Sequence, residues 1–173
     1  MVGPIARGGT PSIDGPAGVG YPPGVDRPDA SQLDERIVSA ITALCESGDD
    51  DVEAGRFAEA IARYRQALAL VPAPVTAWAV SIWIQGSIAE AHYLGGEYLE
   101  ARDAIDDAFR CDGAIGNAFL HLRLGQIEDR LGNRGRALDE LIRAFTRGDE
   151  AVFAGEDPRY LALVKAALLD EAN

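Results

Sequence analysis

The chain has 173 residues, 47% of them apolar, and a formal net charge of −12. That length fits one domain with a real core, and that charge repels phosphate backbones and excludes general nucleic-acid binding. It favours a protein partner with a basic surface, drawn in by electrostatic steering, although an acidic surface also serves solubility alone. No basic stretch followed by an apolar run marks a secretory leader, and no apolar run approaches the roughly 20 residues that span a bilayer. The expected setting is cytoplasmic, with no membrane association. Cys45 and Cys111 stand far apart in no metal-type spacing, which points to two reduced thiols, with one disulfide as the alternative.

Residues 1–29 hold six of the nine prolines. Gly and Pro at this density break helices and strands, so the segment reads as a flexible tail that is either a tether or without a role. From residue 30 to 173 the pattern is helical. Asp29 and Ser31 are candidate N-caps, and Leu33, Ile37, Ile41 and Leu44 follow at helical spacing. No alternating strand pattern appears, so the expected class is all-α.

Three segments then align on one scaffold: GRFAEAIARYRQALALVP from Gly55, GEYLEARDAIDDAFRCDG from Gly96 and GNRGRALDELIRAFTRG from Gly132. Each opens with Gly and places Ala at the same offset, at Ala60, Ala101 and Ala137. A bulky residue follows at Tyr64, Ile105 and Leu141, and a second Ala at Ala67, Ala108 and Ala144. The glycine accepts the positive φ of a turn between helices. The alanines, two turns apart on one face, let a neighbouring helix approach, and the bulky residue between them fills its groove.

This recurrence resembles the tetratricopeptide repeat family. Gly48, Ala60, Tyr64, Ala67 and Pro72 match the family pattern in the first unit. Ala89, Ala101, Ile105 and Ala108 match in the second, and Gly125, Ala137, Leu141 and Ala144 in the third. The resemblance covers residues 41–148 and implies a helix-turn-helix repeat solenoid of about three units, 33–72, 75–113 and 114–148. Residues 149–173 then form a C-terminal cap, in which Asp157 caps a helix that Pro158 opens, with Leu161, Val164 and Leu168 as its apolar stripe. The distance from Gly55 to Gly96 exceeds the usual period of about 34 residues. The excess is assigned to a lengthened helix starting near Val75. Asp50 and Asp51 occupy places where apolar residues are usual, which makes the first helix of unit one the least regular element.

No phosphate loop, dinucleotide fingerprint or nucleophile elbow is present. His92 and His121 fall near corresponding places in their units, as packing positions do, and neither has the ligand spacing of a zinc site. The acidic run Glu46, Asp49, Asp50, Asp51 and Glu53 lacks the alternation of a calcium loop. The expectation is therefore no catalysis, no metal and no cofactor.

The resemblance also implies a binding surface, because in this family the first helix of each unit lines the groove. Unit one would present Cys45, Glu46, Asp49 and Glu53; unit two Trp83, Ser87, Glu90 and Tyr93; unit three Phe119, Leu122, Arg123, Gln126 and Arg130. Such a groove is acidic at its N-terminal end, aromatic in the middle and basic at its C-terminal end. Trp83 and Tyr93 serve equally as core residues. Family members that clamp a chaperone's terminal carboxylate use Lys and Asn where this chain has Cys45 and Asp49, so that activity is not expected. TAWAVSIWIQGSIAEAHYLGGEY, GNAFLHLRLGQ and GEDPRYLALV further resemble compact bacterial tetratricopeptide proteins encoded beside secreted toxins. That likeness implies an immunity protein; the alternative is a scaffold or co-chaperone for an assembly. Within NAFLHLRLGQ, Leu120, Leu124, Ile127 and the following Leu131 read as an inward stripe. His121 reads as a hydrogen-bonded packing residue, and Arg123 and Gln126 as facing the groove.

Overall fold

The computed structural model describes residues 33–171, and within them every regular element is helical. The tail expected over residues 1–29, and the caps Asp29 and Ser31, lie outside the described residues. The helices are α1 (Glu35–Glu53), α2 (Phe57–Ala69), α3 (Ala79–Leu94), α4 (Tyr98–Phe109), α5 (Ala118–Arg130), α6 (Arg134–Gly148) and α7 (Pro158–Glu171). They pack as three successive hairpins, α1 with α2, α3 with α4 and α5 with α6, and α7 closes the row against α6. This is the helix-turn-helix repeat fold that the tetratricopeptide resemblance implies. None of the described helices is long and apolar enough to cross a membrane.

Each hairpin turns in the same way. Gly55, Gly96 and Gly132 have φ of 73°, 79° and 84°, where a side chain would be strained. The next N–H in each turn reaches back five residues: Arg56 to the Asp51 carbonyl at 2.8 Å, Glu97 to His92 at 2.9 Å and Asn133 to Glu128 at 2.8 Å. This closes the helix end by satisfying a carbonyl that has no partner within the helix. The same three residue pairs are joined by their side chains. Asp51 accepts from Arg56 at 2.8 Å, His92 Nδ1 meets Glu97 at 2.6 Å, and Asn133 donates to Glu128 at 2.6 Å. Asp51 is therefore buried where an apolar residue was expected because Arg56, and Arg63 at 2.5 Å, neutralise it.

All nine scaffold residues predicted to face inward are buried: Ala60, Tyr64, Ala67, Ala101, Ile105, Ala108, Ala137, Leu141 and Ala144. The small residues opposite them set how closely the helices approach. A Cβ on Gly48 would stand 2.5 Å from the Tyr64 ring, and one on Gly125 would stand 2.7 Å from Leu141 Cγ. The main core runs through the first two hairpins and reaches α5 through Leu120, Leu124 and Ile127. A second, smaller core gathers Leu122, Leu141, Ala144, Phe153, Tyr160 and Val164 beneath α7.

Two boundaries differ from expectation. α1 starts at Glu35, capped by Asp34, whose Oδ1 accepts from the Arg36 N–H at 2.8 Å; Leu33 is buried ahead of the helix. The second unit's first helix starts at Ala79, not near Val75. Pro72 and Pro74 interrupt the chain, Val75–Ala77 form one 3-10 turn, and Ser81 Oγ donates to the Val75 carbonyl at 2.7 Å. The extra length therefore lies partly in the connection and partly in α3, whose 16 residues exceed the 13 of α5. The cap agrees with expectation: Asp157 accepts from the Arg159 N–H at 3.0 Å and Pro158 opens α7.

Candidate functional site

α1, α3 and α5 carry the residues assigned to the groove. On α1, Glu46, Asp49 and Glu53 are exposed, whereas Cys45 is buried in the main core and presents nothing to a partner. Asp49 accepts a 2.7 Å hydrogen bond from the Tyr64 hydroxyl. Partial burial and the charges of Asp50, Glu46 and Glu53 still push its carboxyl above the usual range. Burial, Asp49 and Glu46 push the Cys45 thiol up to about 12, which makes it a poor nucleophile.

On α3, Trp83, Ser87, Glu90 and Tyr93 are half-buried. Trp83 and Tyr93 pack against the main core while keeping part of their surface exposed. Tyr93 lies 5.7 Å from the Tyr98 ring, and the exposed Arg130 guanidinium lies 6.0 Å over Tyr98. Contact with the Tyr93 hydroxyl holds the charge of Arg130 still more firmly.

α5 departs most from expectation. Leu122 is 1% exposed and sits in the small core beneath α7, so it is not on the groove face. Its position falls between the two faces of the helix, and only the arrival of α7 decides which side it joins. Arg123 is 5% and Gln126 1% exposed. Arg123 meets Glu90 at 2.6 Å and Glu156 at 3.3 Å, and donates to Gln126 Oε1 at 2.5 Å. The Glu90 contact is an ion pair whose N–H does not point along it, since neither atom makes an aligned hydrogen bond. The guanidinium also lies 4.6 Å over Tyr93 and 5.5 Å over Phe119. The structure thus joins Glu90, Tyr93, Phe119, Arg123 and Gln126 into one cluster, but the arginine is enclosed. Two carboxylates share one guanidinium, and burial together with Glu156 raises Glu90 against the opposing pull of Arg123. The C-terminal end of this face is consequently not the basic end that the order of residues implied. Arg130 is its exposed cation.

His121 is buried, with Nδ1 2.6 Å from Glu140 and Nε2 2.9 Å from the Ile115 carbonyl. It ties α5 to α6 and to the turn before α5. Burial alone would raise Glu140, but His121 and Arg143 outweigh it and hold that carboxyl below the usual range. Among the described residues no three His, Cys, Asp or Glu gather as metal ligands would.

Sequence reasoning singles out neither Glu156 nor Glu140. Glu156 lies 33 residues from Arg123, in a segment read only as part of the cap, and local pattern carries no signal for such a pairing.

No protein-family model matches the chain, and no curated protein does. Solved structures share its fold. The N-terminal domain of stress-induced protein-1 (STI-1) from C. elegans superposes with a TM-score of 0.55 at 17% identity, covering 75% of this chain and 95% of that one. MamA superposes with a TM-score of 0.53 at 16% identity, covering 80% of this chain and 84% of that one.

Proposed function

We propose that the chain is a protein-interaction module that takes a partner with a basic surface along the face shared by α1, α3 and α5. The observation that carries this reading is the charge of that face. Glu46, Asp49, Asp50 and Glu53 are exposed together on α1, Glu90 is only partly covered, and Arg123 is spent on two carboxylates. The half-buried Trp83 and Tyr93 supply aromatic area of the kind that anchors interfaces. Exposed charge of one sign mainly speeds encounter and selects the partner, and the aromatics hold it.

The specific form proposed is an immunity protein that neutralises a basic toxin; the second reading is a scaffold or co-chaperone for an assembly. Co-expression with the product of the neighbouring gene separates them. Rescue from toxicity that is lost in Glu46→Lys/Glu53→Lys supports the first reading. Persistent toxicity refutes it, and a partner held through a short linear segment favours the second. If affinity capture by wild type and by the charge-reversed variant retains the same proteins at the same salt sensitivity, the face is wrong for both.

A further inference from the structure

Glu156 lies in the short connection between the 3-10 turn Glu150–Phe153 and α7. Its neighbours Ala154, Gly155 and Asp157 face solvent, whereas its own side chain is 25% exposed and turned inward. Gly155, at φ 85°, makes the bend that aims it. The carboxylate ends on α5, with Oε1 3.3 Å from Arg123 Nη2 and Oε2 accepting from Gln126 Nε2 at 2.8 Å. Much of that receiving pair is held by α3 and α5 alone: Glu90 pairs with Arg123 at 2.6 Å, Tyr93 and Phe119 flank the guanidinium, and Gln126 accepts from it. Glu156 therefore behaves as a ligand in a seat that other elements build.

The cap that follows packs on the third hairpin. Its apolar contacts belong to the small core, separate from the main one. Its other polar ties to α5 converge on Asp129: Arg159 at 2.6 Å, a surface ion pair of the kind that contributes little, and the Tyr160 hydroxyl, which donates at 3.3 Å. Loss of Glu156 leaves Arg123 paired with Glu90, so departure strands no buried charge on α5. An arriving carboxylate restores the same arrangement at no change in charge.

We propose that Glu156 is a latch. Its carboxylate holds the cap on α5, and a carboxylate from outside that takes the Arg123–Gln126 seat lets α7 detach while the first two hairpins stay folded. The latch closes one end of the candidate binding face, so cap docking and occupancy of that end exclude each other.

Hydrogen exchange followed by mass spectrometry on the full chain tests this, comparing wild type, Glu156→Ala and the conservative Glu156→Gln. Without the charge-assisted bond, α7 amides should exchange at least about tenfold faster, with α1 to α4 unchanged. Glu156→Gln should fall between the two. Sodium acetate added to wild type should displace Glu156 from the seat and speed α7 exchange, and sodium chloride at the same ionic strength should not. Unchanged α7 exchange, or an equal rise throughout the chain, overturns the latch. No difference between acetate and chloride overturns the exchangeable seat.

Discussion

Gly125→Ala tests the packing logic of the repeat most directly. A Cβ built there stands 2.7 Å from Leu141 Cγ, 2.9 Å from Leu141 Cδ2 and 3.0 Å from the Ala137 carbonyl oxygen. Leu141 is 1% exposed and also lines a cavity of about 370 Å³ that it shares with Tyr160 and Leu163, whereas the Ala137 carbonyl is fixed in α6. The substitution gains up to about 1 kcal/mol of helix propensity. Against this stands an overpacking cost of about 1–3 kcal/mol. The expected net loss, the midpoint of that cost less the propensity gain, is about 1 kcal/mol, or roughly 2–4 °C in Tm for a chain of this size. Thermal melts followed by circular dichroism at constant protein concentration read this out. The second hairpin supplies a control, since its equivalent positions hold Ala89 and Ile105, both buried. Gly125→Ala combined with Leu141→Ile should recover part of the loss. Gly135→Ala, where an added Cβ meets nothing within 4 Å, should raise Tm. A Gly125→Ala protein as stable as wild type would refute the argument that helix approach is limited by this contact.

Three further outcomes are expected. Glu90→Gln should raise the urea midpoint at pH 7: its folded carboxyl is raised, chiefly by burial, so the ionised form weighs against the fold, and the gain should shrink as pH falls and wild-type Glu90 protonates. Asp51, held low by Arg63 and Arg56, has the opposite sign. Its contribution is present above the usual carboxylate range and is lost as pH falls through its lower folded value, so Asp51→Asn should flatten the acid limb of stability against pH. Cys45 and Cys111, with thiols pushed up to about 12 and about 11, chiefly by burial, should resist iodoacetamide at pH 8 in the native protein and react once it is denatured. Rapid native labelling of Cys45 would show that α1 opens more readily than its packing implies.

The repeat was legible because its signals are local. Glycine at positive φ and alanine two turns apart are demands of backbone geometry and helix approach, and they recur whatever surrounds them. The turn after α1, with Asp51 bound by Arg56, follows the same rule, although its charged residues hide it from an apolar template. What the sequence by itself determined is therefore the number of hairpins, their turns, and the inward faces carrying Tyr64, Ile105 and Leu141. The tertiary structure alone decided the character of the face between them. Arg123 and Gln126 sit on the side of α5 that periodicity assigns, yet they are covered, because α3 brings Glu90 and the cap connection brings Glu156. Leu122 turned out to be core because α7 arrives beside it. Charge pairing between residues 33 positions apart leaves no periodic trace; it exists only once packing has brought the helices together and excluded the water that would otherwise solvate each charge separately.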